Sequence, residues 1–201
     1  AVDLILSDGY DGLGDVNEDG LLNVLDVVIL TDWVLNGVSD SCIDIDGNTY
    51  ATVQIGEQLW MAENLKVTHY NSGDKIPYPS NDDWGSFTEG QYGVYANFPP
   101  NAYIHGNLYN WAALDDERGI CPLGWHVPSD EEWMELEMFL GMSEEELYNH
   151  GYRGEEENVG GKMKEEGTEH WNSPNTGATN TSGFTALPAG YFNNGYHDMH
   201  T

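Results

Sequence analysis

The chain has 201 residues, 39% hydrophobic and 12% aromatic, which is enough apolar material for a packed core and argues against wholesale disorder. Six Lys and Arg stand against 35 Asp and Glu, a formal net charge of -29. Nucleic acid and anionic lipid are therefore poor partners, and with no run of 18 apolar residues no membrane insertion is expected.

Such an acidic surface repels itself unless cations screen or bind it. Residues 1–14 read as an N-terminal extended segment. It opens with Ala-Val-Asp-Leu-Ile-Leu, an alternating run suited to a strand added to a sheet edge in this chain or in a neighbour. The start lacks a basic region of the kind that opens a signal peptide, so a leader is expected to have been removed already.

Residues 15–37 hold a loop and an apolar helix. Within the loop, Asp15, Asn17 and Asp19 occupy positions 1, 3 and 5, and Gly20 sits at the sharp turn of position 6. Leu21 offers a carbonyl at position 7, Asn23 stands at 9 and Asp26 at 12. Twelve residues with oxygens at these offsets suit Ca2+, a hard cation that takes six to eight oxygen ligands. Asp26 replaces the usual Glu, so the loop must close tighter or use one oxygen. Gly9, Gly12 and Gly14 precede the loop, so no entering helix is expected. The motif GDVNEDGLLNVLDVVIL resembles a single dockerin repeat, a loop with an exiting helix. Dockerins carry two such repeats, and this chain shows one. The helix presents Val24, Val28, Trp33 and Leu35 among others on nearly all faces. It must pack on the following domain, on another copy or on a partner, a cohesin-like one by resemblance.

Residues 38–42 read as a linker, and residues 43–201 as one larger domain. Asp46-Gly47-Asn48 predicts a hairpin turn between strands, with half a cation site at Asp44 and Asp46 as the weaker reading. Residues 58–67 fit strand or helix. Residues 69–106 read as long loops with short strands, 107–114 as a short helix, and 124–127 as a buried strand with His126 in the core. Ser129 and Glu132 form a capping box that starts a helix through Leu140, stopped by Gly141. Its apolar face is Trp133, Met134, Leu136, Phe139 and Leu140. Ser143 and Glu146 form a second box, with Gly151 as stop. Trp125 and Trp133 are assigned to the core.

Cys42 and Cys121 suit either one bridge in an oxidising compartment or two buried thiols. His197 and His200 are a weak zinc pair, and Asn180-Thr181-Ser182 is a glycosylation sequon. No Gly-x-Ser-x-Gly, His-Glu-x-x-His or phosphate loop occurs, so no catalytic residues are assigned.

The pieces DIDGNTYATVQIGEQLWMAENLKV, GNLYNWAAL, RGICPLGWHVPSDEEWMELEMFLG and GFTALPAGYF, in that order, resemble the Fibrobacter succinogenes major paralogous domain family. The resemblance implies secretion or a cell-surface location and a divergent C-type-lectin-like fold of class α+β with long loops. Family members close with further strands that do not appear by Thr201, so the domain is expected to be truncated, to continue further on or to be completed by another molecule, and a Cys in that part is the expected partner of Cys121. The sugar motifs of calcium-dependent lectins are missing; Trp171-Asn172 and Asn81-Asp82-Asp83-Trp84 are loosely similar. The expected function is an extracellular calcium-binding structural or adhesion module, not an enzyme, that forms a homo-oligomer or surface assembly. The alternative is a carbohydrate-binding module of a polysaccharide-degrading system.

Overall fold

The computed structural model describes residues 41–79, 88–149, 151–193 and 196–198, together with Val24 and Val27 as helical positions. The remaining expectations for residues 1–40 fall outside that range.

The described chain is α+β, as its patterning predicts. Strands β1 (Ser41–Ile43), β2 (Thr49–Ile55) and β3 (Gln58–Met61) form an antiparallel sheet in the order β1-β2-β3. The first hairpin turns where expected. Gly47 has φ +82, which a glycine adopts without strain. The Asp44 carboxylate accepts from Asn48 N at 2.9 Å and Asn48 Nδ2 at 2.8 Å, which closes the turn. Residues 58–61 are therefore strand, paired to β2 with Val53 opposite Trp60.

The loop region carries the pair β4 (Tyr92–Gly93) and β5 (Leu108–Tyr109), linked by 3₁₀ turns and a short helix α1 (Ala102–His105). The helix expected over 107–114 is shorter: α2 (Trp111–Leu114) begins after Asn110, whose side chain caps it by accepting from Ala113 N at 3.0 Å. Its first residues, Leu108 and Tyr109, go instead to the ladder with β4.

Helix α3 (Asp130–Phe139) starts at the predicted capping box. Glu132 N donates to Ser129 Oγ at 3.3 Å and Ser129 N to Glu132 Oε2 at 2.7 Å. It ends at Gly141, φ +103. Leu136 and Leu140 are buried, but Phe139 is mostly exposed, its ring covering the turn glycine Gly56. The second box does not form. Helix α4 (Glu144–Leu147) has no side-chain cap from Ser143, and the Glu146 carboxylate accepts from Gly154 N at 3.2 Å. Helix α5 (Val159–Met163) and the hairpin β6 (Tyr191–Asn193) and β7 (Tyr196–Asp198) follow, the last elements among the described residues.

Two expectations are corrected. Residues 124–127 pair with no strand among the described residues; Trp125 N closes a turn onto Pro122 O at 2.9 Å, and Val127 is exposed. His126 is no core histidine: its side chain is 65% exposed, with Nε2 2.7 Å from Glu132 Oε1. Burial divides into two clusters. One joins Ile55 and Trp60 of the sheet to Leu136, Leu140, Met142, Leu147 and Val159. The other holds Val67, Tyr70, Ile76, Ala113 and Ile120 under the loops. Cys42 is buried, Cys121 is half-buried, and both are free thiols.

Candidate functional site: an edge-strand cleft with a histidine and glutamate cluster

A cleft of about 820 Å³ runs beside β3. Every residue from 58 to 66 lines it. Successive strand side chains point to opposite faces, so lining by all four residues of β3 fits a strand that offers its edge, while residues 62–66 line the cleft as the non-strand segment that follows. β3 is the outermost strand in the sheet, and among the described residues only β2 pairs with it. Residues 123–126 and 184–187 line the cleft as well.

The cleft is aromatic within and apolar outside. Trp60 and Trp133 lie 4.7 Å apart, and Phe184 sits 5.9 Å from each ring. Trp60 is buried and Trp133 half-buried, because α3 packs across the strand at this point. Tyr103 is 85% exposed and Ile104 and Leu123 about half exposed, all lining the cleft. Single exposed apolar residues are ordinary on a protein surface, whereas a group of them bordering an apolar cleft marks a binding surface.

Polar groups around the cleft are already engaged. Gln58 Nε2 donates to Glu132 O at 3.2 Å and to Glu135 Oε2 at 3.3 Å, and Trp60 Nε1 donates to Gln58 Oε1 at 3.1 Å. The Ser129 backbone N–H holds the Glu132 carboxyl below its ordinary value, against the cost of burial, with help from His126. Lys66 is the one Lys or Arg in the lining, and its Nζ is 3.2 Å from Glu63 Oε2. With Glu63, Glu132 and Glu165 also present, the cleft disfavours anionic ligands.

Glu165 links the cleft to a second group of side chains. His170 Nδ1 lies 2.9 Å and 3.0 Å from the two Glu165 carboxylate oxygens. Ligand atoms of Glu165, Glu169 and His170 all fall within 4.8 Å of one another. The His105 ring, from the end of α1, stands edge-on to His170 with centroids 6.1 Å apart. Its Nδ1 is buried without a hydrogen-bond partner. Burial, and then the neighbouring His170, lower the His105 pKa. Asn175 fixes the loop by donating to Glu165 O at 2.9 Å and Gly167 O at 2.7 Å. The sequence marks the cluster only as Glu165-x3-Glu169-His170, a spacing that our sequence reading did not single out; His105 is 60 or more residues away and carries no local signal.

The calcium ligands read from the sequence, Asp15, Asn17, Asp19, Leu21, Asn23 and Asp26, lie outside the described residues, as do Asn81 to Trp84, His200 and the side chain of His197. Trp171 is half-buried and donates to Ala186 O at 3.0 Å, with Lys164 Nζ 3.9 Å above its ring. The sequon residue Asn180 spends its amide on Thr185, accepting from its N at 2.8 Å and donating to its Oγ1 at 3.0 Å.

No curated protein and no solved structure matches the chain. The family model described as Fibrobacter succinogenes major domain matches residues 53–200, a span that takes in β3, the cleft and the whole histidine and glutamate cluster. The chain belongs to the Fibrobacter succinogenes major domain family.

Proposed function

We propose that the chain is an extracellular, non-catalytic structural and adhesion module that assembles by strand addition at the edge of β3. The observation that carries this reading is the lining of the cleft by every residue of β3, Gln58 to Met61, at the outer edge of its sheet. An added strand takes its hydrogen bonds from the edge and its specificity from alternate side chains. Residues 1–6 of a neighbouring copy fit that requirement by sequence pattern: Val2, Leu4 and Leu6 alternate with the rest, as an added strand with one apolar face needs, and the segment carries one acidic group. Six extended residues span roughly 20 Å.

The net charge of -29 opposes association of like copies. A dockerin-like calcium loop at residues 15–26 counters this: bound Ca2+ removes local charge and fixes the apolar helix behind it. The larger domain, in this reading, has a C-type-lectin-like frame and sits at the cell surface. Size analysis of the whole chain in calcium and in chelator tests the proposal. Assemblies in calcium, monomer in chelator, and monomer in both for Leu4→Asp are expected. A wild-type monomer in both conditions sinks it.

One observation favours a second reading, a carbohydrate-binding module. Tyr103, 85% exposed, and Trp125 both line the cleft and offer ring faces on which sugars stack. Neutral polysaccharides are the matching class, given the acidic lining. A glycan array distinguishes the two: neutral glycan binding that Tyr103→Ala abolishes supports this reading, and silence removes it.

A further inference from the structure

We propose that Glu165, Glu169, His170 and His105 form a binding site for a divalent transition metal of the zinc class, beside the strand-acceptor edge and independent of it. Donor chemistry selects the ion. Imidazole nitrogen with carboxylate oxygen suits zinc, whereas calcium takes oxygen ligands throughout.

Three of the four donors already stand close together. Zinc bonds of about 2.0–2.2 Å in a tetrahedron place donor atoms roughly 3.3 Å apart. The donors of Glu165, Glu169 and His170 already fall within 4.8 Å. Two imidazoles on one such ion have centroids about 5 Å apart, against 6.1 Å between His105 and His170. His105 stands outside the group whose donors fall within 4.8 Å of one another, so it has to swing in as the fourth ligand, a centroid approach of about an ångström. Residues 165–170 form loop, held by Glu165 N on Ala186 O at 3.1 Å and by Asn175 on Glu165 O and Gly167 O, so the adjustment falls to the side chains.

A simple ion pair explains only part of the arrangement. It accounts for His170 against Glu165. It leaves Glu169 without a role and the buried Nδ1 of His105 without a partner. Buried polar nitrogens are rarely left unpaired, since each costs free energy. A metal held by His105 satisfies that atom. It also gives both rings a reason to stand together, because two imidazoles that would otherwise repel when protonated become co-ligands. Bound metal would tie the 165–170 loop to α1, which carries the cleft residues Tyr103 and Ile104.

The test is titration of the chelator-stripped whole chain with zinc chloride, followed by calorimetry and thermal unfolding, with calcium chloride as the comparison. One tightly held zinc per chain is expected, raising the unfolding temperature. Glu169→Gln and His170→Gln should each weaken zinc binding at least tenfold, His105→Gln should do likewise, and His197→Gln/His200→Gln should leave it unchanged. Glu169 is exposed, so its variant keeps the fold and its metal-free unfolding temperature. Visible d–d bands of a four-coordinate ion on cobalt substitution, lost in His170→Gln, give an independent readout. Zinc affinity unaltered in Glu169→Gln and His170→Gln, binding that tracks His197 and His200 instead, or binding no tighter than that of calcium would each overturn the assignment.

Discussion

The indole rings of Trp60 and Trp133 lie 4.7 Å apart at an interplanar angle of 46°, joining the edge strand to the long helix beneath the cleft. Trp60 is 8% exposed and touches the main core, so its loss removes contacts on both sides of the sheet–helix joint. Trp60→Ala should cost about 3–5 kcal/mol of unfolding free energy in urea titration. Trp133 is half-buried, and Trp133→Ala should cost less, on the order of 2 kcal/mol, since part of its ring already meets solvent. The reverse order would mean that the helix, not the strand, anchors this joint.

Tyr50 supports the first hairpin from inside. Its side chain is fully buried, its hydroxyl donates to Asp44 Oδ2 at 2.6 Å, and it accepts from Lys66 N at 3.0 Å. Tyr50→Phe keeps the ring and strands the Lys66 N–H. It should cost about 1–3 kcal/mol, measured by urea unfolding. A neutral result would show that water replaces the hydroxyl.

Local chemistry was legible and assembly was not. The Ser129–Glu132 box and the Gly47 turn lie within four residues of chain, so the sequence alone specifies both. The second box does not form, and Glu146, its reciprocal half, is engaged by Gly154 N eight residues away, a partner no local pattern reveals. Residues 124–127 are apolar for the cleft, which Gly124, Trp125 and His126 line, and not for a sheet ladder; hydrophobicity without alternation does not separate the two. The cleft and the cluster bring together Trp60 with Phe184 and His105 with His170. Such pairs are products of the fold, and single-chain patterning carries no trace of them.

The cysteines carry a prediction about redox state. Burial pushes the Cys42 thiol up to about 12 and the Cys121 thiol up to about 11. Thiolate is the reactive form, so both should resist a thiol reagent at neutral pH while the chain is folded. Unfolding in urea without reductant should release two titratable thiols per chain. No thiols in urea would instead mean that the two are bridged.

Glu132 gives the acid limb of stability a specific origin. Its charge accepts from Ser129 N and His126 Nε2 at the start of α3, where the helix dipole also favours an anion. Asp130 and Glu131 share that first turn, and no Lys or Arg does. The folded pKa lies below the ordinary 4.5. On acidification the unfolded chain therefore takes up its proton first, and stability drains toward the unfolded state. The contribution is complete above 4.5 and is lost as pH falls through the folded value. Asp46 adds a second loss at lower pH. Burial works against its charge, but Thr68 N, Thr68 Oγ1 and the His69 ring still hold it below the ordinary 3.8. Glu132→Gln keeps an acceptor for Ser129 N while removing the charge, so its stability should fall less steeply than wild type below pH 4.5 and differ little in slope above it. Asp46→Asn should flatten the curve only below 3.8. Urea unfolding across the acid range, with both variants and the double variant, separates the two limbs: additive flattening is expected, because the residues share no partner. Identical curves for wild type and both variants would move the acid sensitivity to other carboxylates.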